Sequence, residues 1–104
     1  MAKLVMVALT NAAPGREDDF HAWYDKTHIP QIRAAVPGVG QVTRYRVGAG
    51  QQSVHEFLCV YEVDAGSPAE VLGAVGAGVQ SGAVEMTDAM STDPAPITVV
   101  YEAL

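Results

Sequence analysis

Trp23-Tyr24-Asp25-Lys26-Thr27-His28-Ile29-Pro30, followed by Pro37-Gly38, places an indole, a phenol, a carboxylate and an imidazole in one segment and then interrupts it. Proline has no amide proton and its ring crowds the preceding turn, so a helix running through Trp23 is expected to kink or restart at Pro30. Upstream, the pattern predicts a helix from near Arg16 to about His28. Glu17, Asp18 and Asp19 occupy its first turn, where carboxylates favour the positive end of the helix dipole. A second short helical piece is expected from Pro30 to Ala35, ended by Pro37-Gly38.

On either side of this helix lie strand signals. Lys3 to Leu9 is a short apolar run, and Pro14-Gly15 punctuates the loop after it. Val39 to Val47 predicts a strand with Thr43, Tyr45 and Val47 on one face and Val42, Arg44 and Arg46 on the other. Val54 to Val63 is the clearest strand, and Ile97 to Tyr101 the last. Between these two, Ser67-Pro68-Ala69-Glu70 is a helix start with a capping residue, an N1 proline and a capping-box glutamate. Leu72, Val75 and Val79 share a stripe of that helix, which should end by Gly82; Val84 to Met90 reads as a possible helical turn.

The resulting order, β-α-β-β-α-β, is the ferredoxin-like α+β plan: a four-stranded antiparallel sheet with both helices on one face. The 104 residues favour a single domain over 1–104. Alternate positions on several strands stay apolar on both sides, so the second sheet face is expected to pack on another subunit as a homodimer.

Composition limits the partners. A net charge of −6 argues against nucleic acid, which is held by Lys and Arg contacts to phosphate, and against anionic membrane surfaces. No stretch approaches the roughly 18 apolar residues of a membrane span. Cys59 is the single cysteine, which excludes an internal disulfide and suits a reducing cytoplasm. Phosphate loops, dinucleotide fingerprints and serine nucleophile elbows are missing from the sequence, which argues against a kinase, a nicotinamide dehydrogenase or a serine hydrolase.

At about 100° per residue, Phe20, Tyr24, Thr27 and Gln31 cluster, with Trp23 on one flank and His28 on the other. Tyr24 and His28, four apart, are neighbours. A sheltered imidazole beside a phenol is a candidate acid or base; the alternative is a structural histidine bonded to a carbonyl freed by Pro30. Trp23 could form the wall of an aromatic site or simply pack in the core. Asn11 could donate into the helix–sheet cleft or shape its loop. Tyr61 could reach a cavity or the sheet rim. Arg44 could hold a carbonyl or carboxylate, or pair with Glu56 or Glu62 across strands. His55 is expected at the surface. His21, Asp25 and His28 have loose metal-ligand spacing, but no second ligand cluster accompanies them and no metal site is expected.

The segment Phe20-x-x-Trp23-Tyr24-Asp25-x-x-His28-Ile29-Pro30, with Pro37-Gly38, Arg44-Tyr45 and Asp93-Pro94-x-Pro96, resembles the EthD-type branch of the dimeric α/β-barrel superfamily. The resemblance spans nearly the whole chain. It implies two ferredoxin-like sheets facing one another across a two-fold axis, helices outside, and a cleft between helix and sheet. Relatives in that superfamily include cyclases, decarboxylases, dehydratases, isomerases and cofactor-free monooxygenases. This sequence lacks the proximal-ligand context of the haem branches, so no cofactor is expected.

These readings converge on a small cofactor-independent enzyme that moves a proton beside a carbonyl of an apolar, oxygenated aromatic or polyketide-like compound, with a degradative pathway as the expected setting. His28 and Tyr24 would be catalytic, and Asn11, Trp23, Arg44 and Tyr61 would bind substrate. A non-catalytic metabolite-binding accessory to an oxygenase is the alternative, and a cofactor-free monooxygenase a third.

Overall fold

The apolar run near the N-terminus forms an inner strand, β1 (Ala2–Thr10), in the computed structural model, which describes residues 2–104. There follow α1 (Glu17–Trp23), a π-helical turn (Tyr24–His28), α2 (Ile29–Ala35), β2 (Val39–Arg46), β3 (Phe57–Ala65), α3 (Pro68–Ser81) and β4 (Ile97–Glu102). With α1, the π turn and α2 taken as one interrupted helix, the order is βαββαβ. The strands lie β2-β3-β1-β4 and every pairing is antiparallel, which is the ferredoxin-like sheet.

The register divides the sheet into two faces. Leu4, Met6, Ala8 and Thr10 of β1 are buried beneath the helices together with Phe57, Cys59, Tyr61, Val63 and Ala65 of β3. Each large apolar side chain so buried contributes roughly 1.5–3 kcal/mol. The other face carries Val5, Val7 and Leu9 opposite Tyr101, Val99 and Ile97 on one side, and Val7 and Leu9 opposite Val60 and Leu58 on the other. No helix covers it, and Tyr101 and Ile97 are 59% and 44% exposed.

The helix does not break at Pro30. The Ile29 N–H donates to the Tyr24 carbonyl, five residues back, and the widened turn carries the chain through Pro30 in the first turn of α2. One extra residue in the turn lines up positions four apart. Phe20, Tyr24, Ile32 and Val36 are all buried, and His28 falls in the same series. A uniform α-helical phase points to Gln31 instead; its Oε1 in fact accepts from the Glu85 N–H at 2.7 Å.

Three other expectations are corrected. The buried side of α3 is Val71 and Gly78 with Ala74 and Val75 partly covered, while Leu72 is 43% exposed. Gly78 has no Cβ, and Val84 and Ala35 fill the space. Residues 84–90 form no helical turn; Met90 bridges to Ala12, and Ala13 N–H donates to the Ala89 carbonyl. His55 is buried, at 6% exposure, because its Nε2 meets the Ala95 carbonyl at 2.9 Å and ties the β2–β3 loop to the approach to β4.

Two glycines respond oppositely to a methyl group. Gly38 has φ +90°, and a Cβ there would overlap the Asp64 carbonyl. Gly76 lies inside α3 with open space around its missing Cβ. Gly38→Ala is expected to destabilise by more than ~1 kcal/mol, and Gly76→Ala to stabilise by about 0.4–1 kcal/mol. Urea unfolding midpoints at matched slope check both.

Candidate functional site

The line of buried residues along the interrupted helix brings His28 over the β1–β4 half of the sheet. There a cavity of about 250 Å³ opens between helix, sheet and α3. Met6, Ala8, Thr10, Tyr61 and Thr98 form its sheet side, and Trp23, Tyr24, His28 and Ile32 its helix wall. Val75 and Val79 close it from α3; Val84, Met86, Met90 and Pro96 come from the segment before β4. Val79 and Met86 are 41% and 53% exposed and mark an apolar mouth.

The His28 ring stacks on Trp23 with centroids 4.3 Å apart and meets Tyr24 edge-on at 5.1 Å. Trp23 is itself fixed, since its Nε1 donates to the Glu85 carbonyl at 3.2 Å. Residue 85 is therefore held at both its carbonyl and its N–H, by Trp23 and Gln31, and Val84 N–H donates to the Gly78 carbonyl at 2.9 Å. These bonds anchor the segment over the cavity to both helical elements.

Burial pushes the His28 imidazole down to about 4, because desolvation penalises the charged ring and no carboxylate compensates. The ring is neutral at pH 7. Among the described residues, its Nδ1 is sealed from solvent without a hydrogen-bond partner, and the Tyr61 hydroxyl is buried beside Tyr24 and Cys59. Burial also raises the Tyr24, Tyr61 and Cys59 groups, so these three side chains are uncharged at neutral pH.

Tyr24, His28, Trp23 and Tyr61 thus come together around one cavity, whereas Asn11 and Arg44 lie outside its lining. Asn11 spans two backbone groups, donating to the Val54 carbonyl at 2.8 Å and accepting from the Glu56 N–H at 2.7 Å. It fastens the start of β3 to the end of β1. Arg44, on β2, sits over the Tyr24 ring at 4.4 Å. Its guanidinium bonds Asp25 at 3.1 Å and His21 Nδ1 at 2.9 Å, and pairs with neither Glu56 nor Glu62. A fixed cation therefore already lies between the imidazole and carboxylate whose spacing suggested a metal. Among the described residues no group of three or more His, Cys, Asp and Glu is placed to hold one.

Helical spacing around His28 says nothing of Met6, Thr10, Met86, Met90 or Thr98. Their one signal is that Met6 and Thr10 share the alternation of β1 with core residues.

A search of solved structures finds an ethyl tert-butyl ether D (EthD) family protein from Bacillus halodurans C-125, at TM-score 0.59 and 16% identity, covering 98% of this chain and 99% of that one. It also finds an EthD-like protein from Ralstonia eutropha JMP134, at TM-score 0.60 and 19% identity, covering 98% and 92%. The fold is EthD-like. No family model matches the sequence, and no curated protein matches it. Identity this low carries the EthD-like fold and not an activity.

The His28 environment predicts a pH effect. The ring binds a proton near pH 6.5 when unfolded and near 4 when folded. Between these values the unfolded chain binds more protons, so stability is full above about pH 6.5 and falls on acidification, by at most ~1.4 kcal/mol per pH unit. In His28→Gln the stability-against-pH curve is expected to be flatter across that window, as read by urea unfolding at half-unit pH steps.

Proposed function

We propose that the cavity binds a small apolar, oxygenated compound and that the protein is a small cofactor-independent enzyme, with His28 polarising a carbonyl. The single observation that supports this is a desolvated imidazole on the wall of an apolar cavity, with one ring nitrogen sealed. An N–H buried without an acceptor is costlier than a bare lone pair, so the proton belongs on Nε2 and Nδ1 keeps its lone pair. His28 then offers a neutral N–H donor to an oxygen on which negative charge develops. Trp23 holds the ring plane, and Tyr24 packs against its edge. Enolisation, dehydration and cyclisation all build charge on a carbonyl oxygen, and all suit such a donor.

His28→Leu removes the donor and is expected to lower kcat/KM by roughly 10²–10³-fold. His28→Gln keeps an N–H and should recover part of that loss. The compound to assay is whichever small molecule mass spectrometry finds released from the purified protein. For the wild type, kcat/KM should stay flat from pH 5 to 8, because the imidazole titrates near 4. A rise with a midpoint near 6.5 would assign His28 to general base catalysis instead.

The low basicity of His28 also favours one second reading, a metabolite-binding protein that performs no chemistry. Tight binding of the co-purified compound, unconverted over hours, selects it.

We also propose that the uncovered sheet face joins a second copy. Val7, Leu58, Val60, Val99 and Tyr101 form one apolar surface on it. Contiguous apolar patches of more than a few hundred Å² are rare on monomers. A hollow of about 520 Å³ on this side, between Lys3, Glu62 and Tyr101, holds no histidine and fits an unfilled interface better than a reaction site. Light scattering should give twice the chain mass of 10.9 kDa. Val99→Lys should give a monomer; an unchanged dimer in that variant places the contact elsewhere.

A further inference from the structure

We infer that the His28 cavity selects an uncharged ligand and excludes the corresponding carboxylate. The inference rests on the cavity being the ligand site, and it adds the chemical class admitted there. Among the described residues, no Lys, Arg, Asp or Glu lines the cavity. The titratable groups that face it are His28 from the π turn, Tyr24 beside it and Tyr61 from β3; β1, α3, β4 and the segment before β4 contribute none. Their other polar groups are the hydroxyls of Thr10 and Thr98.

The cation next to this wall is Arg44, and it is already engaged. Its guanidinium is bonded to Asp25 and His21 and lies over Tyr24 at the β2 side, while the cavity lies toward β1 and β4. The Glu85 N–H is likewise taken, by Gln31. A carboxylate entering here would lose its hydration and gain no counter-charge, which is prohibitive without a partner. A ketone, aldehyde, ester or ether oxygen asks for a single donor, and the neutral His28 ring supplies one.

Size and surface narrow the class further. The volume of about 250 Å³ lies below the ~300–1,000 Å³ of cavities for drug-sized molecules, so one ring or a short branched chain fits. Met6, Met86 and Met90 present polarizable sulfur to such a ring or chain. Decarboxylation of an ionised acid drops out of the chemistries open to this cavity.

The test uses a pair that differs by one methyl group and one charge, and the intact wild-type protein. Trp23 is the single tryptophan, so its indole N–H gives one NMR signal from the cavity wall. Methyl benzoate is expected to shift that signal saturably at pH 7.5. Benzoate should bind at least ~100-fold more weakly. It should gain about tenfold in apparent affinity for each pH unit removed down to pH 5.5, as the neutral acid becomes available.

Benzoate binding as tightly as the ester at pH 7.5 overturns the inference. So does benzoate binding that disappears in His28→Gln while the ester still binds that variant, since the imidazole would then be serving as a protonated counter-ion. An ester that leaves the Trp23 signal unmoved overturns it too. If the pair separates as expected while His28→Leu turns over normally, charge selection stands and the catalytic role of His28 falls. If benzoate and ester bind alike while His28→Leu is inactive, the reverse holds.

Discussion

A single π-helical turn, placed immediately before Pro30, decides where the helix presents its side chains. Without it, the bond from residue 29 would close four residues back and everything downstream would rotate by ~100° relative to the sheet. With it, Phe20, Tyr24, His28, Ile32 and Val36 follow one line at a spacing of four, and Pro30 is accommodated without an open break. The core and the site therefore depend on the same local irregularity. Ile32 and Val36 fill the core because of the added residue, and the same residue sets the imidazole at the cavity wall. The core contacts on either side hold the wide turn in place, since a π turn has poorer packing of its own and needs tertiary support.

The polar groups around the cavity are sparse, in contrast to those at the β2 side of the same helix. Glu17, His21, Asp25, Arg44, Arg46 and Glu56 make a connected charged surface, with Arg46 to Glu17 at 2.7 Å and Arg44 to Asp25 at 3.1 Å. Exposed pairs of this kind are worth little individually. Their collective effect here is positional: they keep each cation on the β2 side and leave the other flank of Tyr24 apolar. A buried imidazole nitrogen without a partner is unusual in a folded core. That nitrogen belongs to a residue that lines the cavity.

The element order was legible in the sequence because each strand and helix carries its own local signal: alternation in β3, the capping box at Ser67, the turn at Pro37-Gly38. Ser67 does cap α3, accepting from the Glu70 N–H at 3.2 Å. The Trp23–Tyr24–His28 cluster was legible for the same reason, since its members are helical neighbours. What escaped is non-local. Asn11 bonds residues 43 and 45 positions away, and His55 bonds one 40 away. Nothing in the spacing of a single segment reports such contacts. Arg44 was misplaced because β2 and the helix cross in space, which put Asp25 rather than a cross-strand glutamate within reach. The phase error at Gln31 had a readable sign, however. Apolar residues at 20, 24, 32 and 36 repeat every four positions, a longer period than 3.6, and over sixteen residues a straight α-helix cannot keep that stripe on one face.

The two faces of the sheet are not independent of one another. Along β1, Met6, Ala8 and Thr10 floor the cavity while Val5, Val7 and Leu9 lie on the uncovered face, so neighbouring side chains serve opposite surfaces. β4 is the weak member: it is an edge strand, its side chains are largely exposed, and it supplies Thr98 and the adjoining Pro96 to the cavity. Its support comes from β1 and from α3, a helix carrying interior glycines that each lower helix stability by ~1 kcal/mol relative to alanine. A second sheet laid over Val99 and Tyr101 would press β4 onto β1 from the far side. Such a partner would add no residue to the cavity, yet it would set how firmly the wall opposite His28 is held. With such a partner in place, oligomeric state and the firmness of the cavity wall would be linked through β4.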